Sequence, residues 1–287
     1  MEKLSSPEKI RETLKKNGFK FSKSLGQNFI ADEAVCPQMA ENCGADKDTC
    51  VIEVGPGMGV LTYELSKVAK KVIAIELDRA LIPILNKTLA DCENVEIIHG
   101  DIMKMDIKKL IEEKCGGEEV CICANLPYYI TSPVVMGLLE GDLPIRTITV
   151  MVQKEAAQRI CALPGTRECG AVSASVRYHS EPEILFEVGR DSFIPPPNVD
   201  SAVIRLNLIS EPPVKIDNRE AFFKLVKAAF AQRRKTAANS ISAVLKIEKA
   251  KVESGLENAG AQKNARAEQL SMEQLSGLAN YLDSFLS

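Results

Sequence analysis

The sequence predicts an α/β protein: a doubly wound, mostly parallel sheet followed by a smaller all-α C-terminal domain. Three observations predict it. Between Cys50 and Ala124, short apolar runs alternate with helix-length segments, the pattern of strand–helix–strand units whose strands lie side by side. A glycine-rich or polar position follows each of these runs. Beyond Ser210-Glu211-Pro212-Pro213 no strand-like run recurs and the apolar spacing becomes helical, as in Ala221 to Phe230 and Leu270 to Phe285. We therefore expect a domain over residues 1–209, with a basic N-terminal arm, and a helical domain over residues 210–287.

Ser6-Pro7-Glu8 reads as a helix start, with a Ser cap and Pro in the first turn, and Asn17-Gly18 reads as its end. Cys50 to Val54, Val72 to Ile75, Val95 to Ile98 and Val120 to Ala124 read as strands. Leu61 to Lys70, Arg79 to Ala90 and Ile107 to Lys114 read as the helices between them. Further strands are predicted at Thr147 to Val152, Ile184 to Val188 and Ala202 to Leu208. Lys154, Glu155 and Arg159 fall on a predicted helix and read as surface charges.

At 287 residues the chain is long enough for two domains, each with its own core. Its nine Cys form no Cys-x-x-Cys pair and lie mostly among apolar residues, as reduced thiols do. Cys36, Cys43 and Cys50 recur every seven residues, but the last begins a strand, and we expect no metal. Only two His are present, His99 and His179, which excludes chemistry built on several histidines. The first twenty residues are charged throughout and no apolar run approaches the roughly 18 residues of a membrane span. We expect a cytoplasmic protein with no membrane association, acting as a monomer.

Net charge is −3, yet it is unevenly spread: residues 1–28 carry +4, residues 215–268 carry +6, and the remainder −13. Basic regions flanking an acidic body suit a polyanion partner, although charged helix faces are also simply solvated.

Gly55-Pro56-Gly57-Met58-Gly59 follows the first strand of the sheet and opens a helix, where backbone can approach a ligand closely. It is not the dinucleotide fingerprint, because the third Gly comes one residue early and Val60 holds its place. Glu76 ends the second strand, Asp101 follows the third and Asn125 the fourth, at intervals of 21, 25 and 24 residues from Gly55 onward. Open α/β sheets bind ligands at these strand ends. A carboxylate at Glu76 can accept ribose hydroxyls and Asp101 an exocyclic amine, which are adenosine contacts. Each has a plainer reading as well: Glu76 as a helix cap, Asp101 as a turn former.

Glu53 to Gly59, Glu76, Gly100-Asp101 and Asn125-Leu126-Pro127-Tyr128 resemble the motifs of S-adenosylmethionine-dependent methyltransferases that act on nucleobase amines. Leu25 to Phe29, Val152 to Glu155, Phe193 to Ser201 and Phe230 to Thr236 resemble those of the ribosomal RNA adenine-N6,N6 dimethyltransferases in particular. The resemblance extends from about residue 20 into the last helices and is thinnest there. It implies a Rossmann-like class I methyltransferase fold, S-adenosyl-L-methionine as cofactor and small-subunit (16S) rRNA in an assembling subunit as partner. The implied reaction is dimethylation of two adjacent adenines in the 3′-terminal hairpin loop. It also implies cofactor contacts at Asn28, Ile30, Gly55, Gly57, Glu76, Asp101 and Asn125. At Ile30 the family more often has Leu, a volume-conserving exchange.

An adenine amine is a poor nucleophile because its lone pair is delocalised into the ring, so acceptors aimed at its hydrogens help more than a strong base. We expect the Asn125 side-chain oxygen and the Leu126 carbonyl to be those acceptors, with Pro127 setting the turn. Tyr128 and Phe193 are expected to sandwich the base, and Tyr129 to pack; the plainer reading of both sandwiching rings is core packing or, for Tyr128, a hydrogen-bonded hydroxyl. Arg233, Arg234 and Lys235 suit RNA phosphates, or form a solvated helix end. The competing functions are a large-subunit rRNA dimethyltransferase that confers antibiotic resistance, a nucleotide-dependent oxidoreductase, and a non-catalytic ribosome assembly factor. QRRKT and the longer C-terminal region disfavour the first, the glycine spacing and NLPY the second, and the intact set Glu76, Asp101, Asn125 and Tyr128 the third.

Overall fold

The computed structural model describes residues 6–19 and 26–286. Lys20 to Leu25, and with them part of the basic arm and the first residue of the LGQNF motif, lie outside the described residues.

The chain divides into two compact units, residues 1–157 with 183–208, and residues 158–182 with 209–287. The first unit holds α1 (Pro7–Lys16), β1 (Phe29–Ile30), α2 (Val35–Asn42), β2 (Cys50–Val54), α3 (Val60–Val68), β3 (Lys71–Glu76), α4 (Ile82–Thr88), β4 (Val95–His99), α5 (Ile107–Lys114), β5 (Val120–Asn125), α6 (Thr131–Glu140) and β6 (Ile145–Gln153). α7 (Lys154–Cys161) runs across the first exchange between units. α8 (Ala171–His179) lies in the second unit, and β7 (Ser180–Val188) returns to the first, followed by β8 (Phe193–Ile194) and β9 (Ser201–Leu208). The second unit is completed by α9 (Arg219–Phe230), α10 (Ala237–Leu245), α11 (Lys249–Asn258) and α12 (Met272–Leu286).

Seven strands form one sheet in the order β4-β3-β2-β5-β6-β9-β7. β2 pairs in parallel with β3 and β5, β3 with β4 and β5 with β6, whereas β9 runs antiparallel to β6. The chain therefore steps from β2 outward to β4, then returns to lay β5 on the other side of β2. At that reversal the carboxyl ends of β2 and β5 diverge into a crevice, where this class of sheet binds its ligands. β2 is buried at every position, as a strand covered on both faces must be. Its fully buried Val51 and Ile52 continue into Ile73, Ala74, Cys121 and Ile122 of the neighbours.

Helix ends follow local chemistry. The Ser6 hydroxyl accepts the Lys9 N–H at 3.2 Å and caps α1, and Asp106 does the same for α5 through Lys109 at 3.0 Å. The predicted helix from Arg79 shortens to begin at Ile82, because Asp78 to Leu81 form a turn, closed by Leu81 N–H on the Asp78 carbonyl at 2.9 Å.

The second unit packs its core from Phe222, Leu225, Val226, Ile241, Leu256 and Leu275, each fully buried, and from Ala174 and Tyr178 of α8. The expected division at 209/210 thus describes one crossing of the chain between units, while residues 158–182 belong with the helices. Tyr178 explains why: its ring lies 5.4 Å from Phe222 and 5.3 Å from Phe223, so the aromatic side of α8 is buried with α9.

Candidate active site

The cavity at the strand reversal is lined from β2, β3, β5 and the loops after them. Gly55, directly after β2, has φ +71°, and Gly57 has φ +60°; both lie in the left-handed region that side chains resist. At Gly57 a Cβ would also stand 3.1 Å from the Phe29 ring, so only glycine lets the turn close against β1. The Gly55 N–H reaches the Ile75 carbonyl at 2.9 Å and ties the turn to β3.

Glu76, the last residue of β3, is 6% exposed. Its Oε2 accepts the Gly57 N–H at 3.1 Å and its Oε1 the Asp78 N–H at 2.7 Å. Burial raises its carboxyl, and these two N–H groups oppose the rise. Glu76 caps no helix, because α4 begins at Ile82 and has no side-chain cap; it braces the two turns and lines the cavity with one side chain, each carboxylate oxygen having a further lone pair to offer a ligand. Asp101 shows the same duality: Oδ1 accepts the Met103 N–H at 3.0 Å and shapes the turn, while among the described residues Oδ2 meets the exposed Lys104 ammonium at 3.4 Å. Such a surface pair is weak and exchangeable.

The fourth strand end differs. The Asn125 Nδ2 donates to the Asn28 carbonyl at 3.2 Å, and the Asn28 Nδ2 to the Gly26 carbonyl at 3.3 Å. This places Asn28 and Ile30 beside Asn125 at the cavity and fixes which way the amide points. Asn125 Oδ1 and the Leu126 carbonyl accept no hydrogen bond among the described residues. Pro127 turns the chain, its carbonyl accepting the Ile130 N–H at 3.1 Å just before α6. Tyr128 is half-buried; its hydroxyl lies 2.8 Å from the Ser201 Oγ at the start of β9, and burial raises its pKa. The hydroxyl is thus anchored while the ring forms part of the cavity wall.

Two rings take places other than those expected. Phe193 is 3% exposed and absent from the cavity wall, because β8 pairs antiparallel with β1, Phe193 opposite Ile30, and its ring joins the apolar cluster of Ile30, Val35, Met39 and Leu61. Tyr129, expected to pack, is 58% exposed at the cavity rim, its ring edge above Gly26. Two contacts have no local signal in the sequence: Ser201 anchors Tyr128, and the Gln27 Nε2 donates to the Asp78 Oδ2 at 2.7 Å, tying the arm to the loop after β3. Ser201 ends the Phe193–Ser201 motif and Gln27 stands inside LGQNF, so both lay within stretches already singled out.

In the second unit, Arg233, Arg234 and Lys235 occupy the turn between α9 and α10, which the Lys235 N–H closes on the Gln232 carbonyl at 2.9 Å; their side chains are exposed and have no hydrogen-bond or ion-pair partner among the described residues. The turn itself is held firmly: the Gln232 N–H donates to the Ser240 Oγ at 3.2 Å, and that hydroxyl donates to the Ala228 carbonyl at 2.6 Å. Arg167 lines one cleft with Arg233 and Lys235, opposite Glu268. Lys154 instead pairs with Glu187 at 2.7 Å, as a surface residue does.

The family described as ribosomal RNA adenine dimethylase matches residues 18–284. The ribosomal RNA small subunit methyltransferase A of Alkaliphilus oremlandii is 45% identical over 283 residues, covering 98% of this chain and 99% of that protein. Its namesake in Clostridioides difficile is 45% identical over 287 residues, covering 100% and 99%. Among solved structures, the 23S rRNA methyltransferase ErmE superposes with a TM-score of 0.70 at 28% identity, covering 89% of this chain and 99% of that one. A dimethyladenosine transferase from Plasmodium falciparum shares the fold with a TM-score of 0.73 at 22% identity, covering 90% and 98%.

Proposed function

The chain belongs to the ribosomal RNA adenine dimethylase family, and from that premise we propose that it methylates N6 of two adjacent adenines in the 3′-terminal hairpin loop of 16S rRNA, using S-adenosylmethionine. The observation that carries the reading is the pair of unengaged acceptors, Asn125 Oδ1 and the Leu126 carbonyl, at the mouth of a cavity whose other strand ends carry Glu76 and Asp101. The small-subunit methyltransferases at 45% identity along the full chain favour that RNA over large-subunit RNA.

The cavity fits the cofactor. Glu76 offers acceptors for ribose hydroxyls, Asp101 for an exocyclic amine, and the side-chain-free Gly55 leaves open space within 4 Å of where a Cβ would stand. Bound there, S-adenosylmethionine supplies a methyl group on a positively charged sulfur that leaves as a neutral thioether. The residues of the chain do the rest. Tyr128 stacks on the extruded base, an interaction worth roughly 1–3 kcal/mol. Asn125 Oδ1 and the Leu126 carbonyl accept the two amine hydrogens, turn the amine out of conjugation and stabilise the positive charge that grows on nitrogen. The proton then leaves to solvent. A singly methylated amine keeps one hydrogen, so one acceptor still holds it for the second transfer.

The free cations Arg233, Arg234 and Lys235 are assigned to RNA phosphates. The nine free cysteines suit the reducing cytoplasm.

The test is labelled methyl transfer to unmethylated small subunits, large subunits and naked RNAs, with the products mapped. Label in two adjacent small-subunit adenines is expected. Label in large-subunit RNA, or none, overturns the reading.

A further inference from the structure

One motif has no part in the chemistry above. Val152 to Glu155 spans the end of β6 and the start of α7, and its lysine is engaged at the surface by Glu187. Gln153, the last residue of β6, is half-buried, and its side chain makes no hydrogen bond among the described residues. The backbone around it is fixed: Gln153 stands opposite Ser201 in the antiparallel β6–β9 pair, and the Lys154 N–H continues that ladder onto the Asp200 carbonyl at 3.0 Å. Residues facing each other across two strands lie on the same face of the sheet, as do residues two apart along one strand. Asn125 on β5 is paired with Met151, and Met151 stands two residues before Gln153. Asn125, Gln153 and Ser201 therefore share one face, at the end of the sheet where β5 opens into the cavity.

That placement gives the amide a neighbour. Opposite residues of an antiparallel pair set their Cβ atoms roughly 4.5–5.5 Å apart, and the Ser201 Oγ lies 2.8 Å from the hydroxyl of Tyr128, whose ring forms part of the cavity wall. Gln153 is thus next to the anchor of the stacking ring and one strand away from the acceptors that take the amine. An amide unpartnered on the protein side keeps its donor and its acceptor for a ligand. Asn125 and Leu126 fix an exocyclic amine, which adenine shares with cytosine. What marks adenine is a ring nitrogen acceptor on each side of that amine, N1 and N7, whereas cytosine carries one on a single side. We propose that Gln153 is a specificity residue for the base, its Nε2 donating a hydrogen bond to N1 or N7 of the adenine; this rests on the adenine methylation proposed above. Donation there holds the base in the plane that presents its amine to Asn125 and Leu126.

Methyl transfer by the wild type, Gln153→Ala and Gln153→Glu decides it. The substrates are unmethylated small subunits, and small subunits whose two target adenosines are replaced by 1-deazaadenosine or by 7-deazaadenosine. Each analogue keeps the amine and lacks one ring nitrogen. On unsubstituted subunits both variants should lose about ten- to a hundredfold in kcat/KM, Gln153→Glu because a carboxylate cannot donate. S-adenosylmethionine should bind all three proteins equally by calorimetry, which also reports an intact fold. On the analogue lacking the nitrogen that Gln153 meets, the ratio of wild-type to Gln153→Ala kcat/KM should fall to about one, and on the other it should stay as on adenosine. A ratio that changes on neither analogue or on both, either variant within about twofold of the wild type on unsubstituted subunits, or weakened cofactor binding in the variants overturns the proposal. Failure of the wild type to methylate unsubstituted small subunits would remove the adenine reading and this inference with it.

Discussion

The two halves of the cavity handle their acceptors differently. On the β2–β3–β4 side, Glu76 and Asp101 already take backbone N–H groups of the turns they stand in, at 3.1, 2.7 and 3.0 Å. On the β5 side, Asn125 commits its nitrogen to the Asn28 carbonyl and leaves Oδ1 unengaged, as does the Leu126 carbonyl beside it. In the function proposed above, the first half is shaped by the same groups that hold the cofactor, so its fold and its affinity are coupled. The second leaves its acceptors open to the cavity, and in the proposed function its chemistry is separable from its fold.

The strongest way to sharpen that contrast is Asn125→Ala. The methyl-transfer rate should fall about 100- to 1000-fold, the range for losing one pre-placed group that stabilises transition-state charge. Stability should fall by only about 1 kcal/mol, with the lost hydrogen bond to the Asn28 carbonyl, as measured by calorimetry. Glu76→Ala should weaken S-adenosylmethionine at least about tenfold by titration and also lower stability by about 1–3 kcal/mol, because the Gly57 and Asp78 N–H groups lose their acceptor. A variant that lost affinity with no loss of stability would break the coupling claimed for that half.

Tyr128 tests the border between the halves. Tyr128→Ala should raise the Kd for small subunits by about fivefold to a hundredfold, from lost stacking. Tyr128→Phe should keep RNA affinity and lose about 1 kcal/mol of stability with the Ser201 hydrogen bond, in denaturant titration. Glu53 contributes an effect that depends on pH, because burial raises its carboxyl from an ordinary 4.5 to about 8. The folded protein holds that proton more tightly than the unfolded chain does. Its stability is therefore penalised progressively as pH rises from about 4.5 to about 8 and is not penalised further above that. Glu53→Gln should melt with the wild type near pH 4.5 and above it by a few degrees at pH 8.5; a constant difference across that range would contradict the assignment.

What the sequence shows of all this follows from how local each signal is. Gly55, Glu76, Asp101 and Asn125 were legible because apolar runs of four or five residues mark the strands, and a strand end is where the run stops. The pairing of Phe29–Ile30 with Phe193–Ile194 was not, since two-residue strands have no period and join segments far apart in the chain. That pairing decides that Phe193 enters the core. The place of residues 158–182 in the helical unit is not legible, since nothing local to Ala174 and Tyr178 says which core they enter. The burial of Glu53 is not legible either, because burial on both faces of β2 is a property of the assembled sheet.

The most direct test of the separation between the two halves is the single-turnover methyl-transfer rate of Glu76→Ala and Asn125→Ala, measured side by side on unmethylated small subunits as S-adenosylmethionine is raised to saturation. Glu76→Ala should approach the wild-type rate at saturation, and Asn125→Ala should stay about 100- to 1000-fold below it at every concentration. Recovery of both variants, or failure of both at saturation, would contradict the division of the site into a cofactor half and a chemical half.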